Sequence, residues 1–173
     1  MLKFLGLAML FATAVAIGSI MAHDVKMRVE ELVYVKKLMT MFKGELSYKN
    51  AMLSEAFMVV GLRAKKPYDR LFKGLSEATE ENNTMTMAKV FETKVDELLR
   101  DDTFLKKEDI HWFKELGETM GYQDQKMQLA NIDLYIERLS QMVLEEKEKM
   151  NETMKMYRTL GVMAGLLLFI AFI

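Results

Sequence analysis

The segment Leu129–Leu160, LANIDLYIERLSQMVLEEKEKMNETMKMYRTL, decides the fold class of this chain. Ten of its positions recur at alternating spacings of three and four residues, and all are apolar except Glu146 and Thr153. This spacing places one apolar stripe along an α-helix. The stripe leads into the uncharged closing segment Leu160–Ile173, so we predict one long helix that joins a helical domain to a membrane segment. The stripe could pack on the first helix of the same molecule or against a second copy of the chain.

Both ends of the chain are apolar. The nineteen residues from Phe4 to Ala22 carry no charge, and as a helix they cross most of a ~30 Å hydrocarbon layer. A cleaved signal peptide is the alternative, but this run is longer than a usual signal-peptide core and lacks a clean A-x-A motif before Ala22. The closing segment is short for a full span, and Arg158 can reach the headgroups and lengthen it. The predicted organisation is a transmembrane helix at residues 1–22, a helical domain at 23–158 and a second transmembrane helix at 159–173.

The distribution of positive charge predicts the side of the membrane on which the domain lies. Only Lys3 and the α-amino group lie on the outer side of the apolar segments. Basic residues flank their inner sides, namely Lys26, Arg28, Lys36, Lys37, Lys147, Lys149, Lys155 and Arg158. Because positively charged flanks stay in the cytoplasm, we expect the domain to be cytoplasmic.

The middle of the chain is predicted to be all-α. One proline and nine glycines in 173 residues favour long helices, and the first anchor runs directly into an amphipathic stretch that reaches Leu46. Asn50 is the predicted N-cap of the next helix. Apolar residues at helical spacing predict four short helices, around Leu53–Val60, Tyr68–Leu75, Met87–Leu99 and Ile110–Met120. The fold class is therefore a bundle of roughly six helices, flanked by N- and C-terminal transmembrane helices.

Composition argues against nucleic-acid binding and against catalysis. The chain has 24 basic and 25 acidic residues, a net charge of −1, so no excess of positive charge attracts nucleic acid. It has no cysteine, no phosphate-binding glycine loop and two histidines. Glu108-x-x-His111 is half of the ferritin-like di-iron pattern, but the second half is missing. We therefore expect no enzyme activity, no catalytic residue, no metal and no cofactor, and we read Trp112 as a rim or interface residue.

Four acidic residues are the candidate binding residues. Glu45, Glu55, Glu118 and Asp124 lie beside apolar helix positions and near predicted helix ends. A carboxylate in such a place can cap backbone N–H groups, pair with a basic side chain, coordinate a cation or contact a basic partner. For any one of them, local capping or pairing is the more common role.

The order of several short motifs resembles the stage III sporulation protein AB family over essentially the whole chain. The segments that carry the resemblance are Met1-Leu2-Lys3, Glu45-Leu46-Ser47-Tyr48, Leu53-Ser54-Glu55-Ala56, a turn at Gly117-Glu118-Thr119-Met120-Gly121 followed by Asp124, and Leu160-Gly161-Val162-Met163-Ala164-Gly165-Leu166. That family is similar to the cytoplasmic helical domain of the type II secretion F protein, a platform component of the inner membrane.

The resemblance implies a protein of the outer forespore membrane whose domain lies in the mother-cell cytoplasm. It would be a platform in a secretion-like channel complex between mother cell and forespore, required for spore formation, where it contacts a cytoplasmic secretion-type ATPase and other membrane proteins of the complex. On this reading Glu45, Glu55, Glu118 and Asp124 form the contact surface. Secretion F proteins carry two such domains and this chain carries one, so a comparable platform implies a homo-oligomer. The alternative is a membrane-tethered helical scaffold or sensor unrelated to secretion.

Overall fold

The fold is described from a computed structural model, for residues 2–48, 51–80, 86–99, 103–120 and 124–172. Within these ranges all regular structure is α-helical, which confirms the predicted fold class. The helices are α1 (Leu2–Tyr48), α2 (Leu53–Arg63), α3 (Tyr68–Glu80), α4 (Met87–Leu99), α5 (Lys107–Met120) and α6 (Gln125–Phe172). Helix α1 is continuous from the apolar end into the domain, as the sequence predicts.

The chain divides into two compact units. Unit 1 contains Met1–Glu30 and Val143–Ile173, and unit 2 contains Glu31–Met142. Helices α1 and α6 each contribute to both. The borders after residues 22 and 158, which concern the edges of the membrane, stay predictions.

Unit 1 consists of the apolar parts of α1 and α6 and the segments that follow them. Both helices contain an apolar window long enough to cross a membrane. They touch backbone to backbone, since a Cβ at Gly18 would lie 2.6 Å from the carbonyl oxygen of Tyr157 and 2.9 Å from the Cα of Gly161. Small residues allow helices to approach this closely. In unit 1 the face of α6 that contains Tyr157 therefore packs on α1 of the same molecule, one of the two arrangements that the sequence left open, whereas the last stripe residue, Leu160, is 53% exposed.

The core of unit 2 contains one phenylalanine from each of the first five helices. Phe42 of α1 stacks on Phe57 of α2 at 4.6 Å between ring centroids, and Phe57 lies 5.8 Å from Phe91 of α4. Phe113 of α5 contacts Phe72 of α3 edge-on at 6.4 Å. These separations are typical of favourable aromatic pairs. All five side chains are fully buried, so this cluster joins the short helices to α1.

Two local predictions need correction. The residue at the N-cap of α2 is Met52, and the predicted cap Asn50 lies outside the described residues. Gly117 is not in a turn but inside the last part of α5, where it is buried against the Phe91 side chain. Any side chain on residue 117 would overlap the Phe91 side chain, and this explains why a glycine occupies the position.

Candidate partner-binding end of the bundle

Four helix ends meet at one end of unit 2, which we call the bundle end. It comprises the last turns of α1 and α5 and the first turns of α2 and α6. The Gln125 side-chain amide donates a hydrogen bond to the carbonyl of Leu46 at 2.9 Å. The Gln128 side-chain amide donates to the carbonyl of Met120 at 3.1 Å. These two bonds satisfy carbonyl groups at the C-terminal ends of α1 and α5, and so tie α6 to both helices.

A shallow hollow of about 290 Å³ lies at the bundle end. The residues around it are Leu46, Ala51, Met52, Leu53, Gln125 and Gln128. Three large apolar side chains are exposed on the helix ends that form it: Tyr48, which is 93% exposed, Met52 and Met127. Exposed apolar side chains grouped in this way mark interaction sites more often than single ones do.

Two of the predicted acidic residues cap helices at the bundle end. Asp124 precedes the first residue of α6, and its Oδ1 accepts a hydrogen bond from the Lys126 N–H at 2.9 Å. Glu55 lies in the first turn of α2 and accepts from the Met52 N–H at 3.4 Å. This confirms the local capping role for both residues. Both side chains are nevertheless exposed, so their negative charges also face the solvent beside the hollow.

The other two acidic residues differ sharply in exposure. Glu45 lies near the end of α1 but is only 7% exposed, so the bundle covers its carboxylate almost completely. Glu118 lies in the last turn of α5 and is exposed. It lines a polar cleft of about 530 Å³ between α4 and α5, together with Lys89, Glu92 and His111. The structure thus brings all four residues to one end of unit 2, with three of them accessible.

In the part of the chain that the structure describes, no three His, Asp or Glu side chains converge as they would around a metal ion. His111 lies in the wall of the polar cleft, and its ring is 5.6 Å from that of Trp112. Trp112 is half-buried beside a second hollow between α5 and α6, which is the rim position predicted for it. There the guanidinium of Arg138 lies 3.0 Å from the centre of the indole ring.

The sequence reasoning missed the apolar part of the bundle end. Tyr48 and Met52 flank the α1–α2 connection, and Met127 lies two residues before Leu129, where the apolar stripe of α6 begins. Met127 could have been recognised from the sequence, because it lies outside the apolar stripe of α6. An apolar residue outside the buried face of an amphipathic helix does not belong to the core and is a candidate for a binding surface. No pattern in the sequence showed that the three residues would lie at the same end.

Comparison with known proteins decides the family. The family model for stage III sporulation protein AB matches residues 3–173. The chain belongs to this family. A family member from Bacillus subtilis (strain 168), stage III sporulation protein AB, is 25% identical over 168 residues, which are 97% of each chain. The resemblance stated from the motifs is therefore confirmed over nearly the full length.

A solved structure of a stage III sporulation protein AB supports the same fold. It superposes with a TM-score of 0.63 at 19% identity, and the match covers 72% of this chain and 96% of the solved one. At this identity the likeness establishes the fold alone. The chain is thus an all-α member of a sporulation family, with two helices that could span a membrane.

Proposed function

We propose that this member of the stage III sporulation protein AB family is a non-enzymatic membrane platform that recruits a cytoplasmic ATPase. It would belong to a secretion-like channel complex between mother cell and forespore, with its helical domain on the mother-cell side of the outer forespore membrane. The observation that carries the proposal is the bundle end, where exposed apolar side chains lie among exposed carboxylates.

The bundle end has the composition of a binding surface. Tyrosine and methionine are enriched at protein interfaces because they bury a large area. The carboxylates of Glu55, Glu118 and Asp124 are exposed on the same helix ends and favour a basic partner, since complementary charge speeds association and fixes orientation. Glu45 is almost fully covered, so we assign it the role of supporting the surface from inside.

Charge can be removed here without removing the helix caps. The variants Glu55→Gln and Asp124→Asn keep a side-chain oxygen that accepts the capping hydrogen bond, and Asn caps helices about as well as Asp. Combined with Glu118→Gln, they remove three negative charges from the bundle end. Glu137→Gln, on the exposed face of α6 inside unit 2, is the matched control.

The test is a binding titration of the full chain in nanodiscs against the purified secretion-type ATPase of the same cell. The triple variant should bind at least about tenfold more weakly, a loss of about 1.4 kcal/mol, with unchanged helical content. The Glu137→Gln control should bind like the parent. Undiminished binding by the triple variant would remove the acidic surface from the proposal. No binding by the parent chain would favour the scaffold or sensor alternative.

A further inference from the structure

The connection between α2 and α3 is held against the first part of α1 in unit 2. The Lys65 N–H donates a hydrogen bond to the Tyr34 hydroxyl at 2.7 Å. The Tyr68 hydroxyl donates to Glu31 Oε1 at 2.9 Å, and the other oxygen of Glu31 accepts from the Phe104 N–H. Two loops are thus fixed at the end of unit 2 where the chain enters from its first apolar segment. Tyr34 precedes Leu46, which lies at the bundle end, by twelve residues of α1, and this corresponds to a rise of about 18 Å along the helix.

The last two residues of α2 and the connection that follows them, together Leu62–Pro67, are strongly basic, and we call this segment the basic loop. Its sequence is LRAKKP, in which three of six residues are cationic and none is acidic. Arg63, Lys65 and Lys66 are exposed, and Leu62 is 68% exposed. Phe104 of the neighbouring loop is also exposed. Exposing apolar side chains to water is unfavourable. A surface that combines exposed apolar side chains with cations is typical of proteins that contact an anionic lipid interface.

The basic loop is tied close to the membrane segment along the chain. Glu31 follows Ala22, the last residue of the uncharged stretch, by nine residues. Nine residues of the helix α1 rise about 14 Å, so the loops that Glu31 holds are attached a short distance along the chain from the apolar segment. Lipid headgroups are therefore the most accessible polyanionic surface for these cations.

We propose that the basic loop docks on anionic lipid headgroups, with Leu62 and Phe104 at the interface and Arg63, Lys65 and Lys66 against the phosphates. This inference rests on the membrane anchoring in the proposed function but is independent of the ATPase. Contacts of this kind depend on lipid charge and weaken as salt rises. Docking would fix the orientation of the domain above the bilayer.

The chain has no cysteine, so one introduced cysteine gives a unique label site in the full-length protein. Ala64→Cys places a fluorophore in the basic loop, and Lys126→Cys places it at the bundle end as a control. Each labelled protein is reconstituted into vesicles of phosphatidylcholine, with or without phosphatidylglycerol. A lipid that carries a quencher in its headgroup then reports how close the label lies to the surface.

We expect quenching of the Ala64→Cys label to be at least about twofold greater with phosphatidylglycerol, and to fall in high salt. The double substitution Lys65→Glu with Lys66→Glu should abolish the difference, and Lys65→Gln with Lys66→Gln should reduce it. The Lys126→Cys label should show no dependence on lipid charge. Equal quenching in both vesicles, or a dependence that survives charge reversal, would overturn the inference and favour a protein partner for the loop. A chain that fails to float with vesicles would instead contradict the membrane anchoring itself.

Discussion

Arg28 of α1 and Glu146 of α6 form an ion pair inside unit 1, with 2.6 Å between Nη1 and Oε1. The Arg28 side chain is only 9% exposed. Glu146 is one of the two polar positions in the apolar stripe of α6, and the pair explains why a charge is present there. A buried polar pair in an otherwise apolar helix seam can fix the register of the two helices, because any sliding would separate the charges.

Removing the charge of Glu146 should therefore destabilise the chain. Glu146→Gln is expected to lower the free energy of unfolding by about 1–3 kcal/mol, because the mostly buried guanidinium loses its counter-charge. Glu30→Gln, which breaks the exposed pair with Lys26, should cost less than about 0.5 kcal/mol. Denaturant unfolding of the full chain in detergent measures both. Equal losses for the two variants would contradict a special role for the Arg28 pair.

The contact between Gly18 and Gly161 predicts different tolerance at two glycines of the same helix. Gly18→Leu should separate α1 from α6, because its Cβ would meet backbone atoms of α6 that cannot rotate away. A Cβ at Gly6 would meet no described atom within 4 Å, so Gly6→Leu should be tolerated. Thermal unfolding in nanodiscs should show a fall in Tm for Gly18→Leu only. A fall of the same size for both would mean that the two helices do not pack through Gly18.

A second glycine pair tests the packing of α4 on α5. At Gly117 an added methyl group would overlap the Phe91 side chain, and overpacking of this kind costs about 1–3 kcal/mol. At Gly44 an added methyl group would meet no described atom within 4 Å, so alanine should stabilise α1 by about 0.5–1 kcal/mol through helix propensity. The same Gly→Ala change should thus have opposite signs at the two positions in chemical denaturation. Stabilisation at both would show that Gly117 is not packed as described.

The half-buried position of Glu31 predicts a dependence of stability on pH. Burial raises the pKa of this carboxyl above its ordinary value of 4.5, and the nearby Asp109 adds to the rise. Hydrogen bonds from the Phe104 N–H and the Tyr68 hydroxyl oppose it. Because the folded state holds this proton more tightly than the unfolded state, the resulting stabilisation is complete below pH 4.5 and is lost as the pH rises through the raised pKa.

The variant Glu31→Gln isolates this contribution. The free energy of unfolding of the parent minus that of Glu31→Gln should decrease as the pH rises from 4.5 towards neutrality. Urea titrations at a series of pH values measure the difference. If the difference grows with pH, the pKa of Glu31 is lowered in the folded state and our description of its surroundings is wrong.

The sequence predicted the helices well because their signals are local. Leu53, Met87 and the stripe that starts at Leu129 identified α2, α4 and α6 from spacing alone. The capping roles of Glu55 and Asp124 were also accessible, since a cap depends only on the distance to the helix start. These features require no knowledge of which helices meet.

What the sequence could not give depends on packing between distant segments. Three features are of this kind: the burial of Glu45, the pairing of Glu146 with Arg28, and the contact of Gly117 with Phe91. Each depends on residues that are far apart in the chain. Periodicity shows that a face is buried but not which face it meets. The grouping of Tyr48 with Met127 was invisible for the same reason.

We propose that apolar helices at both ends of the chain hold the bundle on the cytoplasmic side of the membrane. Tyr48→Cys offers a highly exposed label site in a chain without other cysteines. In intact sporulating cells, a membrane-impermeant maleimide should fail to label it until the mother-cell membrane is permeabilised, and the protein should still carry residues 2–22. Labelling in intact cells, or a mature chain that begins after Ala22, would contradict the account.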